Sequence, residues 1–207
     1  MKHRVGILGS KGKMGQRVMA MIAEAPDFSI AEDLDAADVL IDFSSYTALP
    51  DHLSRARNAK TPLVVGTTGH GENAHQILNE AAKEIPILFS PNFSIGIALC
   101  MQAAKLFAPY FKTIEIEEVH HTQKKDAPSG AALAFAKALH CDPKAVRSTR
   151  TGTVIGEHTL IFSNENERIE LKHNAFSRDI FAQGALQAAR FLLNQPAGLY
   201  TFREVFT

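Results

Sequence analysis

The sequence predicts an α/β protein in which a Rossmann-type, doubly wound parallel sheet carries an inserted α+β segment. Three observations lead there. Short apolar runs alternate with stretches of helical period from Val5 to Phe89, the pattern of βαβ units. A glycine-rich turn separates the first run from the first helical stretch. After Asn92 the alternation stops, and a long apolar helix is followed by a strand pattern that alternates isoleucine with glutamate.

Val5-Gly6-Ile7-Leu8 is a short apolar run closed by Gly9, and Met14, Val18, Met21, Ile22 and Ala25 follow at helical spacing. Strand, tight turn and amphipathic helix are therefore expected in that order. Phe28 to Ala31 and Val39 to Phe43 read as buried strands, as do Leu63 to Val65 and Ile85 to Phe89. Helices are expected from about Thr47 to Ala59, where Pro50 falls in the first turn, and from Glu72 to Lys83. Beyond Asn92, Ile95 to Phe107 predicts a helix and Thr113 to Val119 a half-buried antiparallel strand. Ala131 to Leu139 is helical, Thr153 to Ser163 and Arg168 to Ala175 are strands, and Ile180 to Leu193 is the last helix. One domain is expected at 1–92 plus 179–207 and a second at 93–178.

The 207 residues are 45% hydrophobic and 21% charged, an ordinary globular composition that excludes a disordered tail, a fibrous repeat and a disulfide scaffold. With 22 Lys+Arg against 22 Asp+Glu, no global field attracts nucleic acid or an anionic membrane, and neither is expected as a partner. Cys100 and Cys141 are the two cysteines, which suits a reduced compartment and a cytoplasmic location. The apolar stretch Val5 to Leu8 is too short for a secretory leader, and Ile95 to Met101 is far below the roughly 18 residues of a membrane span.

Gly9-Ser10-Lys11-Gly12-Lys13-Met14-Gly15 places glycines at i, i+3 and i+6 between strand and helix. Gly9 allows a tight turn, Gly12 a close backbone approach and Gly15 close packing of helix on sheet, so the helix start faces a pyrophosphate. The spacing departs from the usual Gly-x-Gly-x-x-Gly, and a structural turn in another α/β fold is the bland alternative. Glu32 and Asp33, after the second strand, are candidates for a ribose diol, whereas Lys11 and Lys13 would meet a 2′-phosphate, so the cofactor is NADH or NADPH. Gly66-Thr67-Thr68-Gly69 and Ser90-Pro91-Asn92-Phe93 fall at the carboxyl ends of two further strands, where ligands bind in open sheets. There Thr67, Thr68 and Asn92 offer hydrogen bonds and Phe93 a ring cover, although turn chemistry alone selects the same residue types.

The densest chemistry is Glu118-Val119-His120-His121-Thr122-Gln123-Lys124-Lys125-Asp126-Ala127-Pro128-Ser129-Gly130-Ala131. It leaves a strand and enters a helix, with Ser129 as N-cap. Two histidines, two lysines and the free N–H groups of a helix start make a local positive pocket suited to a carboxylate-bearing substrate. A histidine there can give up a proton at neutral pH. A decorated surface loop is the alternative. Metal binding by His120, His121, His158 or His173 lacks a standard ligand spacing, and no metal is expected. Cys100, within an apolar run, reads as an inert core thiol.

Gly9-x-x-Gly12-x-Met14-Gly15, Val39 to Ser44, Gly66 to Gly69, Asn92-Phe93-Ser94, Glu118 to Gly130 and Ser177-Arg178 occur in the order seen in dihydrodipicolinate reductases. The chain resembles that family over essentially its whole length, most specifically through His-His-x-x-Lys-x-Asp-Ala-Pro-Ser-Gly. The resemblance implies a two-domain, usually homotetrameric enzyme of the diaminopimelate route to lysine. It would reduce 4-hydroxy-tetrahydrodipicolinate to tetrahydrodipicolinate with NADH or NADPH. By the same resemblance His120 is the proton donor, Lys124 the assisting acid, and His121, Ser129, Gly130 and Ala131 the substrate contacts. Gly9, Ser10, Lys11, Gly12, Lys13, Met14, Gly66, Thr67, Thr68, Ser90, Pro91, Asn92 and Phe93 match cofactor contacts, and Glu32 stands where a ribose contact is sought. The residues 93–178 would then be the substrate-binding and oligomerisation domain.

Two departures stand out. Ala131 occupies a place that is usually threonine in the family, and the chain looks shortened between Phe28–Ala31 and Val39–Phe43 and again before Arg150. Another small-dicarboxylate oxidoreductase of the same fold is the nearest rival reading, and a non-catalytic dinucleotide sensor is the other. A sensor has no need of His120 and Lys124 together.

Overall fold

Val39 to Asp42 and Leu63 to Val65 are buried at every position, as strands must be when helices cover both faces of a parallel sheet. In the computed structural model, residues 2–67 and 74–206 are described. The chain divides into two compact units, Met1–Phe93 with Phe181–Thr207, and Ser94–Ile180. Along the chain come β1 (His3–Leu8), α1 (Lys13–Glu24), β2 (Phe28–Ile30), β3 (Val39–Asp42), α2 (Leu49–Ala59), β4 (Leu63–Val65), α3 (Ala74–Ala81) and β5 (Pro86–Phe89). Then follow α4 (Ile95–Phe107), β6 (Thr113–His120), α5 (Gly130–Ala138), β7 (Arg147–Arg150), β8 (Gly156–Ser163), β9 (Arg168–Ala175), α6 (Asp179–Leu192) and β10 (Gly198–Thr201).

The first unit is a six-stranded sheet in the order β10-β5-β4-β3-β1-β2, parallel throughout. Strand order reverses at β1, which lies between β2 and β3, and such a switch point is where open sheets bind ligands. Leu8, Leu40, Leu49, Leu53, Leu63, Val65, Leu78 and Ile87 form one face of its core. The step from β2 to β3 has only a 3₁₀ turn, Leu34–Ala36, in place of a helix, so the chain is short where the sequence departs from the family pattern. Asp33 caps that turn by accepting from Asp35 N–H at 3.0 Å.

The second unit is a four-stranded mixed sheet, β7-β6-β8-β9. Strand β6 pairs antiparallel with β8, as expected, and in addition parallel with β7, a pairing its own sequence does not announce. Alternation puts Ile116, Glu118 and His120 of β6 on the buried face. There Ile116, Leu160 and Phe162 pack with Ile97 and Ala104 of α4 and with Ala132, Phe135 and Ala136 of α5.

Two strands escaped the sequence reading. Arg147-Ser148-Thr149-Arg150 has no apolar position, and Gly198-Leu199-Tyr200-Thr201 is short. The strand expected from Thr153 begins at Gly156, and the helix expected from Thr47 begins at Leu49 after a 3₁₀ turn. Glu72, where another helix was expected to start, lies outside the described residues. Among the described residues no helix is long and apolar enough to cross a membrane.

Candidate active site

The glycine turn lies at the carboxyl end of β1. Gly9 has φ +84°, and a Cβ there would lie 2.7 Å from Ser44 Cα, so the turn requires glycine. At Gly15 a Cβ would lie 2.3 Å from the Gly9 carbonyl oxygen, and the helix therefore packs on the turn backbone to backbone. Gly12 differs. It is exposed, its φ of −77° suits any residue, and a Cβ would lie 3.2 Å from the Gly9 carbonyl oxygen, tight but well short of the overlaps at Gly9 and Gly15. The fold demands less of glycine there than at Gly9 or Gly15, and the bare backbone is open to approach from outside.

Gly12 is also the N-cap of α1, with no side-chain cap and no acidic residue in the first turn. The N–H groups and dipole of the helix start are thus left for an external anion. Lys11 and Lys13 are exposed beside it, Ser10 and Met14 are half-buried, and Glu32 is exposed beyond β2. Ser90 and Asn92 close a tight turn, Ser90 Oγ donating to the Asn92 carbonyl at 2.6 Å. Phe93 is 2% exposed and packs edge-on against Phe43 and Phe202. Its side chain belongs to the core, which corrects the expectation of a covering ring and leaves only the backbone at this position for any cofactor contact. A Cβ on Gly66 would meet the Phe43 ring at 2.3 Å, Thr67 is buried, Pro91 is exposed, and Thr68 lies outside the described residues. A cavity of about 700 Å³, lined by Leu8, Leu34, Asp35, His52 and Arg55 among others, opens beside the shortened β2–β3 step.

In the second unit one carboxylate organises the histidine-lysine segment. Glu118 is buried, 1% exposed, and its Oε2 accepts from His120 Nδ1–H. Its other oxygen accepts from Arg150 Nη2 at 2.8 Å and from the Ser129 backbone N–H at 3.3 Å. Residues 118 and 120 share a face because side chains alternate along β6. The His120 ring lies over Gly156, where a Cβ would be 3.0 Å from Nε2.

Ser129 caps α5, its Oγ accepting from Ala132 N–H at 3.2 Å and lying 3.1 Å from His158 Nε2. That hydroxyl is occupied, unlike the backbone N–H groups of Gly130 and Ala131, which open the helix with no hydrogen-bond acceptor among the described residues. Gly130 is exposed, and a Cβ there would meet nothing within 4 Å among the described residues. Substrate contact at 130 and 131 can therefore run through the backbone, for which Ala131 serves as well as threonine. His121 donates its backbone N–H to the Val154 carbonyl at 2.6 Å and has a buried Nδ1 without a partner among the described residues. Lys124 Nζ pairs with Asp126 at 2.8 Å.

Three histidines run across the sheet. The ring centroids of His120 and His158 are 5.3 Å apart, and those of His158 and His173 are 6.3 Å apart. His173 repeats the serine-cap motif, its Nε2 lying 3.2 Å from Ser94 Oγ at the start of α4. Burial pushes His158 down to about 4, helped by its two histidine neighbours. Burial also lowers His173, and it lowers His120 against the pull of Glu118, with Lys124 and Arg150 adding to the fall. Burial alone would raise Glu118, but hydrogen bonds from Arg150, Ser148 and His120 outweigh it and hold the carboxyl below the usual range. The Lys124 hydrogen bond keeps Asp126 low, and burial pushes the Cys100 thiol up, away from reactivity. Among the described residues no group of three or more His, Cys, Asp or Glu is arranged to hold a metal ion.

The structure thus brings His120 and the α5 start carrying Gly130 and Ala131 onto one carboxylate. Sequence reasoning assigns no role to Glu118, Arg150 or Gly156, and His158 enters it only as a metal-ligand candidate without a standard spacing. Residue 118 sits two places before His120 on a strand, a spacing that puts the two side chains side by side and was open to reading.

Residues 94–206 match the family model described as dihydrodipicolinate reductase, C-terminus, and residues 3–37 and 29–93 match the one described as dihydrodipicolinate reductase, N-terminus. The two N-terminal pieces overlap at the shortened β2–β3 step. The chain is 39% identical over 213 residues to the 4-hydroxy-tetrahydrodipicolinate reductase of Thermosipho africanus (strain TCF52B), covering 98% of this chain and 97% of that one. It is 36% identical over 249 residues to the enzyme of the same name from Caldanaerobacter subterraneus subsp. tengcongensis, covering 99% and 98%. The alignment with the Thermosipho protein is hardly longer than this chain, so that relative shares the compact length. Among solved structures, the dipicolinate-bound dihydrodipicolinate reductase from Paenisporosarcina sp. TG-14 superposes with a TM-score of 0.84 at 22% identity, covering 100% of both chains. A Corynebacterium glutamicum DAP dehydrogenase gives 0.63 at 14% identity, covering 98% of this chain and 93% of that one. Both likenesses speak to the fold.

Proposed function

The chain belongs to the dihydrodipicolinate reductase family, and from that premise we propose how its own residues carry the family's NAD(P)H-dependent reduction of 4-hydroxy-tetrahydrodipicolinate to tetrahydrodipicolinate. The glycine turn fits a nicotinamide dinucleotide: Gly12 is exposed and under a weaker steric demand than Gly9 or Gly15, and α1 starts without a cap or an acidic residue. Gly9 to Met14 would hold the pyrophosphate, with Gly66, Thr67, Thr68 and the backbone of 90–93 as further contacts. A reduced nicotinamide held there supplies the hydride. Lys11 and Lys13 favour a 2′-phosphate while Glu32 favours a free diol, so both NADH and NADPH are used, with less than about 100-fold preference, or roughly 2.7 kcal/mol.

Loss of water from the substrate leaves a conjugated ring, and hydride arriving at one carbon of that system puts negative charge on the neighbouring carbon. His120 protonates that carbon as general acid. Lys124 assists or holds a carboxylate. His121 and the Gly130 and Ala131 N–H groups bind the substrate's anionic ends, where fixed donors and a helix dipole need no reorganisation. The observation that carries this reading is Glu118, whose two oxygens join the His120 ring to the N-terminus of α5. The same reading includes a homotetramer in the cytoplasm.

The test is NADPH oxidation with the cyclic substrate. His120→Ala should lower kcat by about 10²- to 10⁴-fold, the usual worth of general acid catalysis, with dinucleotide affinity unchanged. Retention of more than about a third of wild-type turnover, with chemistry rate-limiting, removes His120 from the role.

A further inference from the structure

We propose that Glu118 is a positioning residue that sets the tautomer of His120 and ties it to the anion-binding start of α5. The inference rests on His120 being the proton donor and adds the group that aims it. Glu118 is buried, and each of its oxygens is used. An ionised carboxylate only accepts, so the proton of the neutral imidazole stays on Nδ1 and Nε2 is the nitrogen left for substrate. The other oxygen takes the Ser129 N–H, the residue immediately before the two free N–H groups of Gly130 and Ala131. One side chain therefore sets the spacing between proton donor and anion cradle.

Arg150 balances the buried charge from β7, at 2.8 Å, and also binds the Asp126 carbonyl at 2.5 Å, so the loop that carries Lys124 is fastened to the same ion pair. The groups that bear on His120 are Glu118 on its own strand, Arg150 on β7, His158 on β8 and Lys124 in the loop. Glu118 is the one anion among them, and it favours the imidazolium that a general acid requires.

Glu118→Gln tests this with little change of shape. The amide oxygen still serves Arg150 and Ser129, but its NH₂ now faces His120 Nδ1, which must accept, and the neutral ring's proton moves to Nε2. Long-range ¹H–¹⁵N spectra of histidine-labelled full-length protein, with His120 assigned through His120→Asn, read the tautomer directly. The expected result is Nδ1–H in wild type and Nε2–H in Glu118→Gln. Turnover should fall by about 10²-fold, less than the roughly 10⁴-fold a wrong histidine tautomer costs in a hydrolytic triad, because Gly156 still seats the ring.

The pH profile supplies a second reading. A general acid must be protonated, so kcat/KM falls as pH rises through its pKa, and loss of the neighbouring anion moves that limb to lower pH. Glu118→Gln with Arg150→Met removes both buried charges together and covers the case in which the single variant fails to fold. An unchanged tautomer with an unmoved limb overturns the proposal and leaves Glu118 as half of a structural ion pair. The tautomer needs neither substrate nor turnover, so this result is separable from any failure of the reductase assay.

Discussion

Acid should destabilise this protein in a window set by its buried histidines, and His158 gives the size of the effect. Its pKa is held at about 4 in the folded chain, against about 6.5 when unfolded. Between those values the unfolded chain binds a proton that the native protein refuses, so stability is full above about pH 6.5 and falls as pH drops toward 4. From pH 7 to 4.5 the single site removes about 2.5 kcal/mol. His120 and His173 shift in the same direction and steepen the slope. Glu118 and Asp126, held low, lose their contributions only at lower pH. The measurement is urea unfolding followed by far-ultraviolet circular dichroism at pH 7 and 4.5, for wild type and His158→Gln. The variant keeps an acceptor for Ser129 but cannot titrate, so its loss should be smaller than wild type's by about 2.5 kcal/mol. Equal losses, within about 0.5 kcal/mol, would show that His158 is not held neutral. The same neutrality matters to the site, because a charged His158 would face the imidazolium of His120 across 5.3 Å.

Two glycine substitutions probe the site and the turn. Gly156→Ala puts a methyl 3.0 Å from His120 Nε2, and a ring shift of about half an ångström should cost about tenfold in kcat, since about 1 Å can cost 100-fold; turnover within twofold of wild type would refute the seating of the ring on Gly156. Gly12→Val should abolish dinucleotide binding while lowering stability less than Gly15→Ala, which, with its Cβ 2.3 Å from a carbonyl, should destabilise the fold by about 1–3 kcal/mol. Equal effects of the two on stability would show that Gly12 is needed by the turn itself.

The first unit was legible because its signals are local. An apolar run closed by glycine, then helical spacing, determines strand, turn and helix within about twenty residues, and the parallel sheet follows from repetition. Illegible were features that need a partner from elsewhere. Strand β7 is polar at every position and exists because Glu117 to His120 pair with it, and β10, too short to signal itself, is a strand because it pairs in parallel with Pro86 to Phe89 of β5. Phe93 looked like a ring cover because aromatic residues at strand ends often are. Only the packing of Phe43 and Phe202 around it shows that the side chain is spoken for.

In the second unit the candidate donors stand together in the sequence, while the carboxylate that joins them does not announce itself. His120, His121 and Lys124 stand in one stretch of sequence, and a helix start after Ser129 announces free N–H groups. Glu118 belongs to the same stretch, yet in Glu115-Ile116-Glu117-Glu118 the acidic residues read as the solvated side of a half-buried strand. The side on which residue 118 falls is decided by the parity that buries Ile116, and that parity places a carboxylate under the core. A buried carboxylate is tolerable only with full hydrogen bonding and a nearby cation. Arg150, 32 residues away, meets the second requirement, and its arrival depends on the parallel register of β7 on β6. A residue whose burial is costly and whose every oxygen is occupied is therefore the place where the strand, the loop and the helix of this site are brought into one arrangement.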